Sequence, residues 1–273
     1  AQQRAQPGAA ALTPEPAFVA AAEAAADLAG QVIRPLFRST LLVEAKGDAS
    51  PVTEADRAAE RALRGFLAER FPAHGVMGEE YGTERGDAEW LWVLDPIDGT
   101  RAFICGLPTW GVLIGFTEED EAVAGVMDQP FTGERWSGAR GQGAFWRRGA
   151  ERRALRTRPC ESLSDAVIAT NDPAILGEGY RTPFDAVRSR VRLCRLGLDC
   201  YGYAVLASGW LDLVLETGLK DVDIAALIPI IEAAGGAVST WRGEPARLGG
   251  DIVAAGDARA LDAALAVIAE SLG

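Results

Sequence analysis

The segment WLWVLDPIDGTRAF, residues 90–103, places Asp95 and Asp98 three positions apart at the end of an apolar run. Pro96 between them predicts a turn, and Gly99-Thr100 the opening of a helical turn. A strand end feeding such a turn can aim two carboxylates at one point. Like charges held that close repel unless a cation sits between them. Donors that are all oxygen suit Mg²⁺ or Mn²⁺ better than Zn²⁺. The N–H groups of Gly99 and Thr100 could cradle a phosphate at a helix start. The competing reading is a plain acidic turn, because Asp, Pro and Gly are all turn formers.

Two further acidic clusters favour the metal reading. Gly78-Glu79-Glu80 follows another short apolar stretch upstream, and Lys220-Asp221-Val222-Asp223 precedes a strongly apolar helix. Asp223 fits either a metal ligand or an N-cap. Together the three clusters supply oxygen for two or three cations. What the chain lacks also narrows the chemistry. It has a single histidine, His74, in a predicted loop, FPAHG. Phosphohistidine and multi-zinc chemistries need more partners than that one imidazole offers, and a Ser-His-Asp hydrolase would have to use His74, in its loop, as the base. There is no Cys-x₅-Arg loop. Any catalysis is expected to rest on carboxylates.

The elements that must carry these clusters fall into two textures. Residues 15–37 read as an Ala-rich amphipathic helix, AKGDASP as a polar loop, and Thr53 to Arg70 as a second helix whose Thr53 and Asp56 fit a capping box with Asp in the usual Glu position. After Pro72 come short apolar or alternating runs, VMGEEYG, WLWVLDP, GVLIGFTE, AVAGVMD and ERWSGAR, with TEEDEA as a hairpin turn. From 154 strand and helix patterns alternate: DAVIAT, PFDAVRSRV, RLCRLG, CYGYAVLASG, LDLVLET, DIAALIPIIEAAG, AVSTW, DIVAAG and a closing helix ARALDAALAVIAESL. The fold class expected is α/β, with an α+β half over 15–153, an α/β half over 154–273 and residues 1–14 as a disordered leader. The basic stretch RRGAERRALRTR, 147–158, reads as an exposed loop or as the join between halves.

Net charge is −12, from 39 acidic and 27 basic residues. Such a surface repels nucleic-acid phosphates and anionic membranes, so neither is expected as a partner, and solubility alone explains the charge equally well. No apolar stretch spans a bilayer, no signal-peptide pattern is visible, and the four cysteines form no framework. A cytoplasmic protein with reduced thiols is expected.

The order GEE, LDPIDGT, then an Asp before AAL…IIEAAGG resembles the inositol monophosphatase family, from about residue 15 to the end. The resemblance implies a layered αβαβα sandwich. It implies a first metal on Glu79, Asp95 and the Ile97 carbonyl, a second on Asp95, Asp98 and Asp223, and a weaker third on Glu79. The metals would be Mg²⁺, with Mn²⁺ as a substitute. Thr100 and Glu79 would position or deprotonate the attacking water, and the Gly99 and Thr100 backbone would hold the phosphate. Asp56 would support the water through Thr100, unless it is only a helix cap. Phosphate monoesters hydrolyse very slowly unaided, and paired metals neutralise the phosphate and activate water. The resemblance departs at Val222, where the family usually carries Trp or Tyr, which bears on packing beside the second metal.

The chain is most similar to the histidinol-phosphate phosphatase branch of that family, through GTRAFICGLPTWGVLIG and the stretch from CRLGLDCYG onward. Gly197, Asp199 and Glu216 fall where substrate contacts are expected. Carboxylates there suit a leaving group that bears an ammonium and an imidazole rather than only hydroxyls. Asp199 also fits a helix cap. The alternative within the family is an inositol-1-monophosphatase. Outside it, Asp221-Val222-Asp223-Ile224-Ala225 only superficially fits an aspartyl-nucleophile DxDx[TV] motif, since it ends in Ala. A metal- or phospholigand-binding module without turnover is the remaining rival. A small phosphorylated metabolite is the expected partner, and a homodimer the expected assembly.

Overall fold

The computed structural model describes residues 16–40, 43–45, 51–177 and 179–272. The proposed leader, residues 1–14, lies outside them. In chain order the elements are α1 (Pro16–Ile33), β1 (Val43–Ala45), β2 (Pro51–Thr53), α2 (Glu54–Arg70), β3 (Gly75–Gly78), β4 (Gly82–Glu84), β5 (Trp90–Asp98), α3 (Thr100–Ile104), β6 (Gly111–Glu118), β7 (Glu121–Gln129), β8 (Glu134–Ala139), β9 (Gly143–Arg148) and β10 (Glu151–Ala154). There follow β11 (Val167–Thr170), α4 (Arg181–Arg188), β12 (Leu193–Leu196), α5 (Asp199–Ala207), β13 (Leu213–Leu219), α6 (Asp221–Ile224), α7 (Leu227–Ala233), β14 (Ala237–Thr240), β15 (Gly250–Ala255) and α8 (Ala258–Leu272).

Two large sheets organise the chain. The first has eight strands in the order β10-β9-β8-β7-β6-β5-β3-β4, antiparallel except where β3 meets β5. The second has five strands in the order β12-β11-β13-β15-β14, with β11 parallel to both its neighbours. Helices α1 and α2 pack on one face of the first sheet, α5 and α7 lie between the sheets, and α4 and α8 cover the outer face of the second. The expected αβαβα sandwich is therefore present.

Each layer follows from period. In α2, Ala55, Ala59, Leu63 and Leu67 recur every fourth residue and all are buried. Helix α1 buries Ala22, Ala25, Ala26 and Ala29, and these short side chains let it approach α2 and the sheet closely. Along β13 and β15 the burial alternates: Val214, Ile252 and Ala254 face the middle layer, while Leu213, Leu215, Val253 and Ala255 face α4 and α8. Likewise Leu113 and Met127 enter the middle core, and Val112, Ile114, Phe116 and Val126 the core under α1 and α2. With both faces covered, such strands read as continuous apolar runs.

The middle layer is close-packed against the first sheet. A Cβ added at Gly125 would collide with the Ala226 carbonyl just ahead of α7. Gly125→Ala is therefore expected to cost about 3 kcal/mol by overpacking, seen as a lower midpoint in thermal or urea unfolding.

Several local expectations are revised. The first helix stops at Ile33 rather than 37, and Ala45 and Pro51, read as ends of a loop, pair across a two-stranded ribbon. The strand expected to end at Asp95 runs on to Asp98, because a register shift between Asp95 and Asp98 accommodates Pro96, which has no N–H to give the ladder. The single helix expected over DIAALIPIIEAAG is two, α6 and α7, separated at Ala225-Ala226. Pro229 withholds the amide that would bond the Ala225 carbonyl, and its ring crowds that carbonyl. The basic stretch 147–158 is only partly loop: residues 147–154 form the β9–β10 hairpin at the edge of the first sheet, and 155–158 alone lack regular structure. TEEDEA does form a hairpin turn, with Glu119 and Asp120 both at positive φ, 48° and 64°.

Candidate active site

The acidic clusters converge on a cavity of about 250 Å³ between the two sheets, lined by Glu79, Asp95, Ile97, Asp98, Gly99, Thr100, Asp199, Glu216 and Asp223 among others. Asp95 and Asp98 sit at the bulged end of β5, and Asp223 in the first turn of α6, where its Oδ2 accepts the Lys220 N–H at 2.7 Å. One oxygen from each of these three carboxylates lies within 4.8 Å of the others. Ile97 buries its side chain in the core under α1 and α2, so it faces the cavity with backbone; its N–H donates to Asp95 Oδ1 at 3.0 Å and its carbonyl accepts the Thr100 hydroxyl at 3.2 Å.

The electrostatics are strained without a cation. Removal from water pushes the Asp95 carboxyl well above its usual range, and Glu79, Asp98 and Asp223 push it further. Asp98 is raised well above its range by burial first, then by Asp199 and Asp223. Three clustered carboxylates, two of them pushed up by burial and by their acidic neighbours, fit a hard divalent cation.

Glu79 reaches the cavity through a built clamp. The buried carboxylate of Glu60 accepts the N–H groups of Glu80 at 2.7 Å and Tyr81 at 3.2 Å, and pairs with Arg64 at 2.8 Å. Arg64 in turn donates to the Gly82 carbonyl and to Glu84. Glu60→Ala strips two amides and a guanidinium of their acceptor. It is expected to cost about 3 kcal/mol and, because Glu79 adjoins the clamped Glu80, to weaken divalent-cation affinity measured by calorimetry.

The second sheet supplies the opposite wall. Asp199 begins α5 with φ +47°, a left-handed conformation rare outside glycine, and its N–H is held by Asn171 Oδ1 at 2.7 Å. That twist presses its side chain against Gly99, itself at φ +81°, where an added Cβ would lie 2.9 Å from Asp199 Cβ. Asp199 does not cap α5. Asp98 does, its Oδ2 accepting the Cys200 N–H at 2.7 Å, so one carboxylate ties the two sheets together. Burial pushes the Asp199 carboxyl up to about 6, against the lowering effect of Thr109 and Arg101. Glu216, buried and bonded by the Tyr203 hydroxyl at 3.1 Å, is pushed up to about 8, chiefly by burial, with Asp199 and Asp223 adding to it.

Two expected residues do not line the cavity. Asp56 is buried in α2's first turn, where its side chain completes the capping box by accepting the Thr53 N–H at 2.9 Å and hydroxyl at 2.6 Å, and its charge is felt at Asp95. Gly197 is exposed, and its φ of +71° turns the chain from β12 towards Asp199. His74 lies elsewhere, among Phe18, Phe71 and Phe116, with its Nδ1 accepting the Trp92 indole N–H at 3.1 Å. Val222 packs with Leu91, Val93 and Ala225, so the position keeps an apolar contact in place of an aromatic one. The sequence reading missed Asn171, Arg101, Tyr203 and Lys220 as wall residues, the last with its Nζ 3.4 Å from Glu79 Oε1. Asn171 had a signal, since it closes a strand in a TNDP turn; the others had none.

The sequence model of the inositol monophosphatase family matches residues 15–273. The chain belongs to that family. Its relatives in the inositol monophosphatase family include the bifunctional phosphatase IMPL2, chloroplastic, of Arabidopsis thaliana, 42% identical over 83% of this chain; the chain spans 65% of that protein's length. A histidinol-phosphatase of Chlorobaculum parvum is 35% identical, covering 83% of this chain and 86% of its own. The solved structure of an inositol monophosphatase from Zymomonas mobilis superposes with a TM-score of 0.84 at 41% identity, covering 93% of this chain and 98% of that one. The family is metal-dependent, and the Asp95, Asp98 and Asp223 cluster is a group that could hold a metal ion. Among the described residues no helix is long and apolar enough to cross a membrane, and all four cysteines are free.

Proposed function

We propose that the protein is a Mg²⁺-dependent hydrolase of small phosphate monoesters, with L-histidinol phosphate as its substrate. One observation carries the reading: Asp199 and Glu216 share a single small cavity with the Asp95, Asp98 and Asp223 cluster. Glu79, Asp95 and the Ile97 carbonyl would hold one cation, Asp95, Asp98 and Asp223 a second, and Glu79 a weaker third. Such cations, when bound, neutralise the phosphate, lower the pKa of a water and stabilise the leaving alkoxide. The chain's own groups do the placing. Thr100, its hydroxyl turned to the Ile97 carbonyl, and Glu79 orient the attacking water, with Asp56 acting through Thr100. The backbone N–H groups of Gly99 and Thr100 hold the phosphate. Asp199 and Glu216 face the alcohol, where a cationic one would hold both in the ionised form and take charge-assisted hydrogen bonds from them, and Gly197 sets the turn that brings Asp199 in.

The division of labour follows the sheets. Residues 15–153 supply most metal ligands and 154–273 the alcohol site. A homodimer in the cytoplasm completes the reading. Inositol 1-phosphate is the second reading, favoured by the similarity to the Zymomonas mobilis structure.

The test is phosphate release with Mg²⁺ from L-histidinol phosphate and from inositol 1-phosphate, each with an EDTA control. A large preference for the former supports the proposal. A preference for the latter keeps the metal chemistry and rejects the amine-bearing alcohol. Metal binding with no turnover on either, or on sugar and nucleotide bisphosphates, replaces the enzyme reading with a binding module.

A further inference from the structure

A second cavity of about 360 Å³ lies away from the acidic site, where the edge of the first sheet meets the far end of α5. Its walls are Trp146, Tyr201, Trp210, Arg153 and Arg156, with Trp136 behind them. Trp146, Tyr201 and Trp136 are fixed. Glu134 accepts both the Trp146 indole N–H at 3.2 Å and the Tyr201 hydroxyl at 2.7 Å. Ser208 Oγ accepts the Trp136 indole N–H at 2.9 Å. At the rim Trp210 is 69% exposed, the most exposed large apolar side chain among the described residues.

The charge here is opposite to that of the whole molecule. The chain carries −12, yet the charged residues lining this cavity are two arginines, Arg153 and Arg156, and one carboxylate, Glu134, whose oxygens are taken up by Trp146 and Tyr201. Arg153 stacks on Trp146 at 4.1 Å and pairs with Glu151 at 3.2 Å. Arg156 is exposed and has no hydrogen-bond or ion-pair partner among the described residues. A rigid slot with π-faces and unneutralised guanidinium charge selects a ligand that is both planar and anionic. Aromatic faces stack on any heteroaromatic ring, and arginine gives phosphate a fork of donors. The volume is that of a small-molecule site.

The geometry points to a second binding site, distinct from the acidic cavity, for a nucleoside monophosphate. The base lies against Trp210 and Tyr201, and the phosphate meets Arg156 and Arg153.

The test is calorimetric titration of the full chain with AMP, adenosine and inorganic phosphate. EDTA is present throughout, so that no cation in the acidic cavity recruits the phosphate. The expected result is saturable AMP binding, with adenosine and inorganic phosphate each at least tenfold weaker. Trp210→Ala and Arg156→Glu should each weaken AMP at least tenfold while leaving melting temperature and Mg²⁺-dependent phosphate release unchanged. Adenosine binding as tightly as AMP, or AMP affinity unmoved by both variants, overturns the site. So does a Trp210→Ala variant that sediments as a smaller species while the wild type fails to bind AMP, which would assign the cleft to a second copy of the chain.

Discussion

Asp98→Asn is expected to stabilise the metal-free protein while removing its metal-dependent activity. The carboxylate of Asp98 is withdrawn from water and faces Asp199 and Asp223, which raise its pKa well above the ordinary value. A carboxyl with a raised native pKa binds more protons folded than unfolded. The metal-free fold therefore loses stability as pH climbs through the interval between those two values, and stays penalised above it. Asparagine removes the charge, and its Oδ1 can still accept the Cys200 N–H that ties β5 to α5. A relief of about 1 kcal/mol would raise the melting temperature by ~2–4 °C for a chain of this size. In EDTA the variant should melt higher than the wild type, with the gap widening from pH 4 towards pH 7. In saturating Mg²⁺ the order should reverse, because only the wild type gains the full binding free energy of the cation. Loss of a supporting neighbour alone typically costs 10–100-fold in metal affinity or activity, so if Asp98 is a ligand as proposed its loss should cost roughly a hundredfold or more. A variant that melts lower in EDTA would falsify the claim that this cluster is strained without its cation.

The same strain explains what the sequence could and could not disclose. LDPIDGT was legible because a proline between two aspartates at the end of an apolar run breaks local rules of strand composition, and such breaks concentrate at functional sites. The α/β fold class is legible too, since burial imprints period-2 and period-3.6 patterns on the chain. The bulge that carries β5 through Pro96 was not legible, because Pro alone does not distinguish a turn from a register shift. Neither was the break at Ala225-Ala226, which looks helical until Pro229 is counted four residues on. The clamp on Glu79 was invisible for another reason: Glu60 and Arg64 resemble an ordinary exposed i, i+4 pair on α2, and only the fold buries them against the 80–82 turn. Asp98 as the cap of α5 links residues 102 apart, a pairing no local pattern encodes. Asp199 fits a cap or a contact in the sequence; the structure gives the cap to Asp98 and sets Asp199 in the cavity wall.

The left-handed φ of Asp199 sets the terms of the remaining large effect, the choice of alcohol. Alanine at position 199 would confuse two costs, because a non-glycine residue at φ +47° is strained and Asn or Asp tolerates it best. Asp199→Asn keeps the shape, the backbone geometry and an acceptor for the Thr109 hydroxyl, now 3.5 Å away. Only the charge is lost. If the carboxylate recognises an ammonium, kcat/KM for L-histidinol phosphate should fall by the value of a charge-assisted hydrogen bond, about 1.5–3 kcal/mol, or ~10–150-fold. For inositol 1-phosphate the same change should stay within about threefold, since a neutral hydroxyl bonds an amide nearly as well as a carboxylate. The ratio of the two effects is the informative quantity, because a general disturbance of the cavity lowers both together. Asp199 also faces Asp98, so the two neutralising changes relieve one shared repulsion. Combined, they should stabilise the metal-free protein by less than the sum of their separate gains. Equal losses on both substrates would instead make Asp199 a structural neighbour of the acidic cluster and leave the choice of alcohol to Glu216.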